Sequence, residues 1–355
     1  MQTASADNFA FSSSVKADVW HPQKDDKSYE WWYFDALSDD GREAIVIVFL
    51  DNFIYSPRYN RESISIAGNE RCPAVSFTYF RDGKVVYRTV NEFHSSDFHG
   101  NKDLPECTIG ESSFSFDSAS YGSGYRVKIR ETLPGDRILE ANLEWLSVES
   151  DLSPEGFCYE ESRHCWNMVA PRSDVTGRIT VTDKGGKELD TQPFRGTGYH
   201  DHNLDNRWLA KTVRDWHWGR AHFSDCTAVF FRFRETGEES ANTRLIIVRD
   251  GKMEERNAEF EEQSYVRDKF GIRYPSLLTL DSADDIRLSV KPIEVIDSSF
   301  YFLRFVSEIS LTIGDTPTRT TTGLTEFIAP RTLKYRWLNR LADVRTGKNG
   351  KSSYF

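Results

Sequence analysis

Residues 196–203, GTGYHDHN, set one carboxyl group between two imidazoles. Three roles fit Asp201: metal ligand, proton donor or turn residue. On a strand, alternation sends Tyr199, Asp201 and Asn203 to one face and His200 and His202 to the other. A proton donor has to be neutral when it acts, and burial among apolar rings keeps a carboxyl neutral by disfavouring its charged form. A hydrogen bond from Tyr199 or Asn203 would orient it. A metal centre would instead use His200-x-His202, with His217 or His222 as a third ligand, a set that suits zinc with an open position. No Glu stands nearby in sequence as its base, so the expectation is histidines that hydrogen-bond and no metal.

Two further stretches put polar groups among large rings. In YEWWYFD, Trp31, Tyr33 and Asp35 share one strand face and Glu30, Trp32 and Phe34 the other; in RDWHWGR, Asp215 and His217 oppose Trp216 and Trp218. Such a face suits a barrel interior that binds something, or buried struts in which the acids pair with Arg42, Arg214 or Arg220. The two stretches lie about 185 residues apart and match further. In each an acid precedes Trp, an aromatic follows two positions on, and an Ala, a Ser-Asp turn and an apolar strand come next. This pattern reads as a diverged internal duplication.

The elements that must position these residues are strands. Runs such as EAIVIVFL, PAVSFTYF, YRVKIRE, CTAVFFRF and FYFLRFVSEISLTI recur about every ten residues, separated by DDG, RDG and DKGG turns. That spacing predicts antiparallel meanders closed into barrels or sandwiches. Helical period fits only AEFEEQSYVRDKF and LKYRWLNRLADV. A chain of 355 residues with 38% apolar content supports two domains, placed at 1–185 and 186–355 with the joint between 170 and 195.

The net charge of −10 and the lack of Lys/Arg blocks exclude a nucleic-acid partner. No apolar run reaches the roughly 18 to 20 residues that span a bilayer, and the N-terminus lacks the layout of a signal peptide, so a cytoplasmic protein is expected. Five Cys without a C-x-x-C pair suggest reduced thiols. No nucleophile elbow, P-loop or dinucleotide-binding glycine motif is present.

The segment YEWWYFDALSDDGREAIVIVFLDNFIYSPRY resembles the opening of the carotenoid 1,2-hydratases, also called hydroxyneurosporene synthases. WNMVAPRSDVTGRI, GTGYHDHN, RDWHWGRAHF and GLTEFIAP resemble that family's later blocks, in the same order over roughly residues 20 to 330. The chain departs at Asn203-Leu204-Asp205-Asn206, where many relatives continue Asn-x-Gly. The resemblance implies an all-β fold of two lipocalin-like antiparallel β-barrels in tandem, a hydrophobic prenyl or polyene substrate and no cofactor. It implies that Asp201 protonates a terminal alkene, assisted by Trp166; Tyr199, on the same strand face as Asp201, is expected as its catalytic partner. Aromatic faces stabilise the tertiary cation so formed. Trp31, Tyr33, Trp216 and Trp218 are expected to contact substrate, together with Asn203 and His202. A cyclase or pericyclase on the same scaffold and a lipocalin-type carrier are the alternatives. A transient contact with a membrane surface is a further expectation.

Overall fold

The computed structural model describes residues 9–23, 25–60, 71–119, 122–154, 163–283, 285–335, 345–346 and 351–352. It contains two sheets. The first comprises β1 (Phe9–Ser12), β2 (Tyr29–Ser38), β3 (Glu43–Leu50), β4 (Ala74–Arg81), β5 (Lys84–Glu92), β6 (Phe98–Gly100), β7 (Glu106–Ile109), β8 (Ser112–Ala119), β9 (Gly122–Leu133), β10 (Arg137–Glu149), β11 (His164–Thr182) and β12 (Glu188–Asp205), with two short strands, Arg345–Thr346 and Lys351–Ser352, added at its β5 edge. The second comprises β13 (Val213–His222), β14 (Thr227–Glu235), β15 (Asn242–Arg249), β16 (Lys252–Arg256), β17 (Ala258–Arg267), β18 (Arg273–Ser282), β19 (Ile286–Ser298), β20 (Phe302–Ile313) and β21 (Arg319–Ile328).

Both sheets repeat one plan. The first runs β5-β4-β3-β2-β12-β11-β10-β9-β8 and the second β16-β15-β14-β13-β21-β20-β19-β18-β17, so in each the opening strand pairs with the closing one. The strands of Trp31 and Trp216 hold the same place. The two RDGK stretches also correspond: Asp82-Gly83 and Asp250-Gly251 join β4 to β5 and β15 to β16, each with positive φ at both residues, as a two-residue hairpin turn requires. The fold is thus a tandem of two curled, antiparallel, lipocalin-like sheets.

Period-2 alternation then distributes the core. Trp32, Phe34, Ile45, Ile47, Val127 and Trp145 fill the first sheet's own interior. Ala228, Phe230, Leu280 and Leu311 fill the second's. The opposite faces of the opening strands form a third core between the sheets, containing Trp31, Tyr33, Trp166, Tyr199, Trp216 and Trp218. Asp35 and Arg220, at matching positions of β2 and β13, meet there with both side chains buried, Nε to Oδ1 2.8 Å. Of the other expected struts, Arg214 approaches Asp215 at 3.8 Å beside Arg232 and Arg234, whereas Arg42 pairs with Asp82 at the surface.

Four expectations need correction. A division at 185/186 falls in the β11–β12 hairpin, because β12 completes the first sheet by pairing with β2 and β11; the sheets divide between Asp205 and Val213, across the short helix α1 (Leu209–Thr212). Residues 258–267 form β17, not a helix: pairing with β18 outweighs local propensity, and Phe260 turns toward the second interior while neighbouring glutamates face solvent. The second helical candidate largely lies outside the described residues, its first part being a 3₁₀ turn over Pro330–Lys334. Cys72, Cys107 and Cys226 are free and buried, but Cys165 is disulfide-bonded; an odd count does not exclude one bridge. Among the described residues, no helix is long and apolar enough to cross a membrane.

Candidate active site

Asp201 sits at the middle of the first sheet, opposite Tyr33 of β2, and faces the core between the sheets. Three donors converge on its carboxyl group. Tyr199 Oη donates to Oδ2 at 2.8 Å, Trp166 Nε1 donates to Oδ2 at 3.0 Å, and Asn203 Nδ2 donates to Oδ1 at 2.8 Å. Tyr199 and Asn203 reach it because they share its face of β12, and Trp166 because it pairs with Asn203 across β11. Asp201 is only 4% exposed. Burial pushes its carboxyl up to about 8, against the pull of the Tyr199 and Trp166 hydrogen bonds, with Glu326 and Asp35 adding to the rise. It is therefore mostly the neutral acid at pH 7.

Behind the donors stands His164, which local sequence reasoning does not single out. Burial lowers it to about 3, so the ring is neutral. Its Nε2 lies 3.2 Å from Asn203 Oδ1 and its Nδ1 3.3 Å from Tyr29 Oη. A carbonyl oxygen only accepts, so Nε2 carries the proton and Nδ1 accepts from Tyr29. Asn203 is thereby fixed with its amide toward Asp201.

The aromatic residues divide into neighbouring sets. Tyr33 meets Trp218 edge-on at 5.3 Å, and Trp218 lies 5.0 Å from Tyr199. Trp31 stacks on Trp216 at 5.9 Å, both flanking His164. Trp166 stacks on Phe231 of the second sheet at 5.0 Å. β1 closes this side: Phe9 packs on Trp166, Phe231 and Phe233, and Phe11 on Trp166.

His202 does not join them. Alternation sends it and His200 into the first interior, among acids that come from distant segments. His200 Nε2 is 3.0 Å from Asp18 Oδ2, and His202 spans Asp18 Oδ1 at 3.2 Å and Glu30 Oε1 at 2.7 Å. His21 Nδ1 lies 2.9 Å from the same Glu30 oxygen, so His21, Glu30 and His202 are a ligand set within reach of one cation. His217 and His222 stand apart, on Glu262 and Thr227 of the second sheet. Burial would lower His202, but its hydrogen bonds to Asp18 and Glu30 overcome this and raise it to about 9; Asp18 is raised by burial yet held at about 2 by His200 and His202. His202 is thus an imidazolium clamped by two carboxylates at neutral pH.

These shifts predict a pH dependence of stability. Asp201 and His202 both bind their protons more tightly in the folded chain than in the unfolded one. Glu131, pushed up to about 8 by burial beside Asn91 and Ser112, does the same. Their contribution is full below the ordinary values and is lost as pH rises through about 8 to 9. The thermal midpoint should fall by at least about 5 °C between pH 6.5 and 9; scanning calorimetry finding a flat or rising midpoint would contradict it.

A cavity of about 150 Å³ opens between the sheets on the other side of the Trp31–Trp216 stack. Leu50, Tyr55, Phe302 and Ile328 supply apolar wall, and Arg304 and Glu326 a polar one, joined by a 2.5 Å Nε–Oε1 hydrogen bond.

The model of the family Carotenoid hydratase CrtC matches residues 146–354. Hydroxyneurosporene dehydrogenase of Chlorobaculum tepidum is 24% identical over 94% of this chain and 91% of its own length. Acyclic carotenoid 1,2-hydratase of Rubrivivax gelatinosus is 28% identical over 58% of this chain and 48% of its own. A Nitrosomonas europaea protein assigned as AttH superposes with a TM-score of 0.59 at 14% identity, over 86% of this chain and 93% of that one. The matched span contains the buried Asp201 and its three hydrogen-bond donors, and the chain belongs to the carotenoid hydratase CrtC family, as an enzyme of the hydro-lyase type.

Proposed function

We propose that the chain adds water to a terminal trisubstituted alkene of a hydrophobic polyene, with Asp201 as the general acid and without a cofactor. The observation that carries this reading is a neutral carboxyl group buried among aromatic rings and oriented by three donors. Oδ2 is saturated by Tyr199 and Trp166, whereas Oδ1, among the described residues, accepts only Asn203 Nδ2 and keeps a lone pair for the proton. As that proton moves to carbon, Asp201 becomes a carboxylate, and the same three hydrogen bonds strengthen because they now reach an anion. They stabilise the transition state more than the ground state, which is what accelerates a reaction. An acid near 8 is also well matched to neutral pH.

The tertiary cation left on the substrate is carried by ring faces, each worth about 0.5 to 2 kcal/mol. Trp166, Tyr33 and Trp218 stand nearest the acid, with Trp31 and Trp216 one residue pair further along the strands. Asn203 serves the acid in this reading, and His202 braces the strand from behind. The cavity is far too small for a whole polyene, and Asp201 is not among the residues that line it, so in this reading the alkene would have to lie against the acid and its rings while the rest of the polyene extends out of the site.

Turnover of an acyclic carotenoid in deuterium oxide containing ¹⁸O-water tests this. Hydration places one deuterium on carbon and one ¹⁸O in the product. Deuterium without oxygen marks a proton-initiated cyclase, and neither label marks a pericyclase or a carrier. Oxidation, which the name of the Chlorobaculum relative describes, would remove hydrogen and require an acceptor. Because the acid must be protonated, the rate should fall as pH rises through about 8.

A further inference from the structure

The duplicated plan gives Asp201 a counterpart. Tyr33 and Trp218 occupy matching positions of β2 and β13; Asp201 pairs with Tyr33, and Glu326 pairs with Trp218. Gly198 opposite Ala36 and Gly323 opposite Ala221 fix the same register. Each closing strand therefore carries one carboxylic residue at the same height, turned into the core between the sheets.

The two have opposite surroundings. Asp201 is bound by neutral donors only, whereas Glu326 accepts from the buried guanidinium of Arg304, which also approaches Asp297 at 3.7 Å. Space differs too. Leu50 and Phe233 are matching positions, opposite Trp31 and Trp216, as are Phe302 and Trp166 beside the closing strands. On the Asp201 side, Phe9 packs between Phe233 and Trp166, at 5.9 and 6.3 Å between ring centroids. Between Leu50 and Phe302, next to Glu326, it is the open cavity. That cavity is large enough for several water molecules and polar at the Arg304–Glu326 wall, the conditions under which water occupies an internal site. The Tyr33–Trp218 ring pair stands between the two carboxyl-bearing strands, and the Arg304 guanidinium lies 5.7 Å from the Tyr33 ring.

We propose that Glu326 is the base on the water side of the reaction, completing with Asp201 an acid and base pair drawn from the two halves of the duplication. This rests on the hydratase reading above. The Asp201 O–H bond breaks as its proton forms the new C–H bond with the alkene π electrons. A water in the cavity forms the C–O bond to the resulting tertiary cation, and the oxonium so made loses one proton to the Glu326 carboxylate. Glu326 then releases that proton to solvent while Asp201 takes one up, so that one water is added and both groups are restored. Arg304 holds Glu326 in place and is a positioning residue.

The test is Glu326→Gln in the full chain, with an acyclic carotenoid bearing an intact terminal isoprenyl alkene, in deuterium oxide with ¹⁸O-water. Protonation should survive: deuterium should still enter recovered or isomerised alkene within about twofold of the wild-type rate, while ¹⁸O incorporation falls at least about tenfold. Glu326→Asp, which keeps the carboxylate, should recover part of the oxygen incorporation and stands in if the Gln variant does not fold. Unchanged ¹⁸O incorporation in Glu326→Gln, or equal loss of both labels in a folded variant, overturns the proposal. So does Glu326→Asp showing the two labels lost in parallel. Failure of the hydratase reading looks different: the wild-type chain itself would then incorporate no ¹⁸O, with deuterium if it is a cyclase and without it if it is a pericyclase or carrier.

Discussion

Replacing Asp201 with Asn should lower turnover at least about a hundredfold, the usual scale of positioned acid catalysis, while leaving the fold intact. The amide has the shape of the carboxyl group and can still accept from Tyr199 and Trp166, with the Asn203 amide and the neutral His164 tautomer reversed so that Asn203 Oδ1 accepts from the new amide, but it has no proton to give to an alkene. Since burial of a neutral amide costs less than burial of a carboxyl that ionises above about 8, the thermal midpoint of Asp201→Asn should be unchanged or higher at pH 9. Near-normal turnover of this variant in the labelling experiment would sink the assignment. The partners should act in graded ways. Trp166→Phe removes the Nε1 donor but retains a ring face, so it should cost less than Trp166→Ala, which loses both. Tyr199→Phe removes a hydrogen bond that pulls Asp201 down, so the alkaline limb of its pH–rate profile should move to higher pH. A merely structural Tyr199 would lower the rate without moving that limb.

What was legible in the sequence is what alternation controls. Tyr199, Asp201 and Asn203 share a face because they are two residues apart on one strand, and the same rule places Trp31 and Tyr33 against Trp216 and Trp218. His202, expected among the substrate contacts, lies on the opposite face, as the same rule requires of a residue next to Asp201. The acids that hold it, Asp18 and Glu30, come from more than 170 residues away and leave no local trace. His164 was likewise hidden, since its role depends on β11 pairing with β12. Glu326 did have a signal. TTGLTEFI, residues 321–328, aligns with GTGYHDHN on the shared glycine, but the match becomes readable only when the order of pairing shows that β21 closes the second sheet as β12 closes the first. The domain boundary failed for the same reason: a closing strand belongs to the opening strand with which it pairs, however far the chain has travelled in between.

The Asp35–Arg220 pair makes the strongest prediction about stability. Both residues are buried, they join matching positions of the two opening strands, and the guanidinium also approaches Thr197 O of β12. Burial pushes Asp35 up despite the Arg220 partner, so desolvation already weighs heavily on it. Arg220→Met keeps much of the side-chain volume but strands a carboxylate between the sheets, a change that typically costs about 3 to 5 kcal/mol and should lower the thermal midpoint by roughly 10 °C at pH 7. With its partner gone, Asp35 in the folded chain will hold a proton to still higher pH, so its stabilising contribution is full at acid pH and is lost as pH rises. The deficit should therefore shrink on acidification toward pH 5. Asp35→Asn combined with Arg220→Met should be less damaging than Arg220→Met alone, because no charge is left without a partner. If Arg220→Met loses less than about 1 kcal/mol, or if its deficit does not depend on pH, the pair does not carry the contact between the two sheets, and the aromatic stack of Trp31 on Trp216 has to carry it instead.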